Sequence, residues 1–131
     1  MNKLSSSVEN DVRFSFLGLR SRQEAIYHML ESQMFISASS VEGMPIAALE
    51  AAASGCYLLL SDIPPHREIA QQIRHCYIFS SEIELKEQVE LLLDKPDSFF
   101  QVVSRENKDL FEEIFSIKNM LLSYKNIYHT M

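Results

Sequence analysis

Apolar residues come in short blocks along this chain, and their spacing switches between two periods. Val12–Leu17 (Val-Arg-Phe-Ser-Phe-Leu) partly alternates and stops at Gly18, which predicts a strand. Ala25, Ile26, Met29 and Leu30 then recur at helical spacing across Ser21–Ser32. Ser21, with Glu24 three residues on, has the spacing of a capping box. Met34–Ser37 reads as a short buried strand. From Pro45 to Gly55 the chain is nearly all alanine and leucine: Pro45 suits a first helical turn, and Gly55 suits the left-handed position just past a helix end. Cys56–Leu60 is a continuous apolar run ending in Ser61-Asp62, as for a strand covered on both faces in a parallel sheet.

The second half continues the pattern. A short helix is expected from about Pro65 to Gln72, and a strand at Cys76–Phe79. Glu82–Leu93 predicts a helix with the stripe Leu85, Val89, Leu92 and Leu93, broken by Pro96. Helices over Asp97–Ile114 and Ser116–His129 complete the chain. Strand–helix alternation of this kind means an α/β architecture, a Rossmann-like parallel sheet of about four strands flanked by helices. Residues 1–11 read as a polar tail and 12–131 as one domain. Such sheets bind ligands outside the carboxyl ends of their strands, here the loops Gly18–Arg22, Ala38–Met44 and Ser61–His66.

Bulk properties narrow the function more than the fold. A chain of 131 residues supports one core. A net charge of −6 argues against a nucleic-acid binder, which needs a basic face. No apolar run reaches the roughly 18 residues of a membrane span, and Met1–Ser7 lacks the apolar stretch of a signal peptide. Cys56 and Cys76 each open an apolar run and read as reduced core thiols of a cytosolic protein. No spacing of His or Cys suggests a metal site, and no G-x-S-x-G elbow supports a hydrolase triad. His75 reads as a satisfied surface histidine, and His66 as a candidate contact to sugar or phosphate.

The chemistry gathers at the alanine helix. Its start presents unpaired N–H groups and partial positive charge, which favour phosphate. Gly43 just before it lets a ligand approach the backbone. Glu42 and Glu50 bracket the element, and eight helical residues would rise about 12 Å, near the length of a nucleotide diphosphate. Carboxylates at either end suit hydroxyl-rich groups such as ribose and hexose.

The run Glu42-Gly43-Met44-Pro45, then Ala48-Leu49-Glu50-Ala51, then Gly55 and a strand ending Ser61-Asp62, resembles the E-x7-E signature of retaining glycosyltransferases. The similarity is to the family-4 type with the GT-B fold, in its C-terminal, donor-binding domain. Phe14–Gly18, Phe35–Ser39, Ser61–Pro64 with Glu68, and the C-terminal Tyr124 and Tyr128 carry flanking resemblances. The resemblance implies that Glu42 contacts the donor sugar and is the catalytic candidate, and that Glu50 contacts ribose. It implies that the helix start meets the diphosphate. The implied donor-binding set is Gly18, Ser39, Glu42, Gly43, Met44, Pro45, Ile46, Ala47 and Glu50, with no metal. The donor would be a nucleotide-diphosphate sugar, with no separate cofactor. The acceptor would be a polysaccharide or glycolipid, and the location the cytoplasm or the inner face of the membrane.

The same resemblance implies parts that this sequence lacks: two further strands bearing a basic pair, and an N-terminal acceptor domain. The expectation is a partial, N-terminally truncated donor domain with little activity alone. Arg20 or Arg22 are candidates to stand in for the basic pair. A partner domain, a partner chain or self-association is expected, through bare strand edges and the terminal-helix residues Ile117, Leu121, Tyr124 and Tyr128. Two alternatives stay open: a non-catalytic fragment acting as a binding module, and a sugar-nucleotide epimerase of similar fold.

Overall fold

Leu58, Leu59 and Leu60 leave their strand no polar face, and all three are completely buried. The computed structural model describes residues 10–115. Its elements are α1 (Arg22–Glu31), β1 (Met34–Ser37), α2 (Ile46–Ala53), β2 (Tyr57–Ser61), α3 (Pro64–Gln72), β3 (Cys76–Phe79), α4 (Glu82–Leu93) and α5 (Asp97–Phe115). The strands form one parallel sheet in the order β1-β2-β3, with Phe35 opposite Leu58 and Leu59 opposite Tyr77. β2 is therefore the central strand, and its leucines feed two cores. Leu58 and Leu60 pack with Ala48, Ala51 and Ala52 of α2 and Ile69 of α3. Leu59 packs on the other face with Phe79, Leu92 and Phe100. The architecture is Rossmann-like, a parallel sheet between helices.

Small residues explain how α2 lies so close. Ala48, Ala51 and Ala52 are buried, while Ala47 is exposed. The helix stops at Gly55, whose φ of +88° is the left-handed conformation expected of a residue past a helix end. Serine caps set two other helices. Ser21 Oγ accepts from the Glu24 N–H at 3.2 Å, and Ser81 Oγ accepts from the Glu84 N–H at 3.2 Å.

α5 closes the sheet at the amino ends of its strands. Its buried Asn107 donates from Nδ2 to the Cys56 carbonyl at 2.8 Å and to the His75 carbonyl at 3.3 Å. Its Oδ1 accepts from the His75 N–H at 3.1 Å. Cys56 and His75 immediately precede β2 and β3, so one amide ties two strands at their entry. His75 Nε2 also meets Glu106 at 2.8 Å, as expected of a satisfied histidine. Both thiols are unbridged, and burial pushes Cys56 up to about 11 and Cys76 up to about 12.

Two expectations need correction. Val12–Leu17 is not a strand, so the sheet has three strands among the described residues and not four. Turn chemistry wins at its start: Asp11 accepts the Arg13 N–H at 3.0 Å through its carboxylate and the Phe14 N–H at 3.0 Å through its carbonyl. Among the described residues no strand lies alongside to reward an extended pairing, and β1 pairs only with β2. Leu93, placed on the apolar stripe of α4, is instead exposed beside the buried Leu92. Leu93 is one residue, about 100°, round the helix from Leu92 and so lies off the buried face. The expected helix at Ser116–His129, the residues named on it and most of the polar tail lie outside the described residues.

Candidate functional site

Parallel pairing puts three loops at the carboxyl edge of the sheet: Ala38–Pro45 after β1, Asp62–Ile63 after β2, and Ser80–Ser81 after β3. α5 occupies the opposite edge. The carboxyl edge is thus where a ligand can approach, and α2 begins there.

The start of α2 keeps its donors free. Its N-cap, Pro45, has no N–H and makes no side-chain cap. The Ile46 N–H is used by the Met44 carbonyl at 2.9 Å, and the first intrahelical bond runs from the Leu49 N–H to the Pro45 carbonyl at 3.1 Å. The N–H groups of Ala47 and Ala48 between them find no acceptor among the described residues. Gly43, Met44 and Pro45 form one wall of a pocket of about 300 Å³, faced by Pro64, Pro65 and Glu68 of α3. Gly43 does not have a left-handed φ, and a Cβ added there would meet nothing within 4 Å. The chain's own backbone therefore does not require glycine at this position.

Glu42 is held by a chain of hydroxyls. Ser39 Oγ donates to Glu42 Oε1 at 2.9 Å, and Ser37 Oγ lies 3.3 Å from Ser39 Oγ. Ser61 Oγ, at the end of β2, donates to the Ser39 carbonyl at 2.6 Å. His66 Nδ1 lies 2.9 Å from the Ser61 carbonyl, which can only accept, so Nδ1 carries a proton. The Glu42 loop is in this way stapled to β2 and α3. His66 is fully buried, which corrects its reading as a ligand contact: it braces the loop from behind. Its Nε2 has no partner among the described residues.

Glu50 sits farther along α2 and is paired across to α1. Arg22 Nε donates to Glu50 Oε1 at 2.6 Å, with the carboxylate side chain 18% exposed and the arginine 76%. Both line a second pocket, of about 450 Å³, with Met44, Ile46 and Leu49. Met44 and Leu49 wall both pockets, so the two adjoin around the first turns of α2.

The other residues lie apart from this pair of pockets. Ser39 and Glu42 bond to each other but line neither pocket. Gly18, at φ +66°, lines a third pocket of about 420 Å³ with Arg20, Met29 and Met34, which shares no wall with the others. Arg20 is spent locally, donating to the Leu17 carbonyl at 2.8 Å and lying 3.7 Å from Glu24. The hydrogen bond from Arg67 holds the Asp62 carboxyl below its usual range. Among the described residues no three His, Cys, Asp or Glu side chains converge as a metal ion would require.

Sequence reasoning missed the relay from Ser37 through Ser39 and Ser61 to His66. Ser37 and Ser61 were visible as polar residues at strand ends, Ser39 in the loop after β1 and His66 in α3. Only the register, with Ser37 opposite Leu60, brings them together.

The family model described as "Glycosyl transferases group 1" matches residues 1–109. No curated protein and no solved structure matches the chain.

Proposed function

This chain belongs to the group 1 glycosyl transferases, and on that premise we propose that it forms the donor-binding part of a retaining, family-4 type transferase. The donor is a nucleotide-diphosphate hexose, with no separate cofactor. Its diphosphate lies at the N–H groups of Ala47 and Ala48, against backbone from Gly43 to Ile46. Glu42, positioned by Ser39, receives hexose hydroxyls, and Glu50 receives the ribose. Gly18 stays in the proposed donor set on the family resemblance alone, its own pocket lying beside Met34 and Cys56 at the amino ends of β1 and β2. Transfer breaks the bond between the anomeric carbon and the phosphate oxygen and forms one to the oxygen of an acceptor hydroxyl, whose proton passes to the departing diphosphate. The bonding pair leaves with the diphosphate, whose added charge the helix start is already oriented to stabilise. The hydroxyl-bearing acceptor belongs to a polysaccharide or glycolipid. No helix among the described residues is long and apolar enough to cross a membrane, and the reading places the chain in the cytoplasm or at the membrane's inner face.

One observation carries this reading. The N–H groups of Ala47 and Ala48, without an acceptor among the described residues, start a helix that follows the loop holding one carboxylate and carries the other on its own side chain Glu50. Glu50→Ala is expected to weaken binding of uridine or guanosine diphosphate by about 1.5–3 kcal/mol, the worth of a hydrogen bond to a charged group. Isothermal titration calorimetry on the full chain measures it, and unchanged affinity in a folded variant removes Glu50 from the site.

A second reading, a binding module that works with a partner, is favoured by the edge of β1, which is unpaired among the described residues. Exposed Val12, Phe14, Phe16 and Leu19 add apolar surface in the segment before α1. Sugar-nucleotide turnover by the purified chain, measured alongside its mass by light scattering, separates the two.

A further inference from the structure

The ion pair at Glu50 leaves most of its own hydrogen-bonding capacity unused. Arg22 spends one N–H, on Nε, to hold Glu50 Oε1. A guanidinium has five N–H donors and a carboxylate two oxygens. The Nη groups of Arg22 and Oε2 of Glu50 have no partner among the described residues. A donor fork and a free acceptor oxygen therefore stand side by side in one pocket. Met44 and Ile46, which flank the start of α2, wall that pocket too.

Stability does not explain this placement. Arg22 is the first residue of α1, where the helix dipole opposes a positive charge. The pair is largely exposed on the arginine side, and such pairs contribute little to folding. The neighbouring cations are committed elsewhere: Arg20 to Leu17 and Glu24, and Arg67 to Asp62. In a chain of net charge −6, a diphosphate needs a local cation.

We propose that Arg22 supplies that cation: its free Nη groups bind the donor's phosphates while Glu50 takes the ribose hydroxyls. The dyad thereby selects a nucleoside 5′-diphosphate over a ligand that has only the hydroxyls or only the phosphate. A planar guanidinium suits phosphate because it donates two parallel hydrogen bonds at once. This inference rests on the donor-site reading above.

The test compares uridine with uridine diphosphate, and guanosine with guanosine diphosphate, on the full-length chain by calorimetry. Arg22→Gln should raise the Kd of the diphosphate about tenfold or more, the scale of a lost charged hydrogen bond, and leave the nucleoside within about threefold. Arg22→Lys, which keeps the charge but not the fork, should fall between the two. Glu50→Ala should raise both Kd values by a similar factor. If Arg22→Gln weakens nucleoside and diphosphate equally, Arg22 only braces Glu50 and the proposal fails. If it weakens neither while Glu50→Ala weakens both, the proposal fails and the donor site stands. A wild-type chain that binds none of the four overturns both.

Discussion

Gly55→Ala is expected to destabilise the chain by about 2–5 kcal/mol, combining a left-handed backbone penalty of about 1–2 kcal/mol with overpacking of about 1–3 kcal/mol. Two independent features of the site add. The φ of +88° is strained for any residue with a Cβ. The added Cβ would also lie 2.4 Å from Ser104 Oγ, 2.9 Å from Lys108 Cε and 3.0 Å from Ser104 Cα. Ser104 Oγ and the lysine end can swing away, but the Ser104 Cα belongs to the backbone of α5 and cannot without moving the helix. Chemical denaturation of the two proteins measures the difference. A loss below about 0.5 kcal/mol, the range of ordinary surface substitutions, would mean that α5 does not pack against this turn.

Asn107→Leu carries a comparable expectation, about 2–6 kcal/mol, for a different reason. Leucine matches asparagine roughly in size but offers neither donor nor acceptor. The His75 N–H and the Cys56 carbonyl would then be left at the entries of β3 and β2 without their side-chain partner. Each buried polar group left unsatisfied costs about 1–3 kcal/mol. Asn107→Asp is the informative companion, since it retains an acceptor for the His75 N–H and loses the donor to Cys56. It should fall between wild type and leucine, and denaturation midpoints for the three proteins check the order. A leucine variant as stable as wild type would show that water replaces the amide fully.

The fold was readable where one residue type has one physical use. The unbroken leucines of β2 could only be a strand covered on both faces. Pro45 and Gly55 bounded α2 to within a residue. Ser21 capped α1 through Glu24 as their spacing required. The sequence misled where a local pattern needed a partner that the chain does not bring alongside. Val12–Leu17 has strand composition, yet a strand is stabilised by its neighbour, and β1 pairs only with β2 among the described residues. Asp11 then captures the segment in a turn. Asn107 was invisible for the opposite reason. It is one polar residue in a long helix, and nothing local says that it faces two strand entries.

The candidate site divides along the same line. Glu42, Gly43 and Glu50 could be singled out because they stand in a combination of glycine, proline, small-residue helix and glycine stop that resembles a family signature, where two carboxylates alone would mean little. Arg22 could be named only as one of two cations without a spacing argument. Three-dimensional packing of α1 on α2 distinguishes it from Arg20 by setting its Nε against Glu50. His66 was legible as a histidine near the site, but its burial, and hence its bracing role, depended on how α3 lies against β2.

The central claim is that a diphosphate seats on the backbone at the start of α2, and Gly43→Val with calorimetry tests it most directly. A Cβ at Gly43 meets nothing within 4 Å of this chain, and the backbone there is not left-handed. The substitution should therefore leave folding stability within about 0.5 kcal/mol while filling the space that a ligand must enter. The account predicts an otherwise stable protein whose affinity for uridine or guanosine diphosphate falls by about tenfold or more. Wild-type affinity in the valine variant, or no binding of either diphosphate by the wild-type chain, would contradict it.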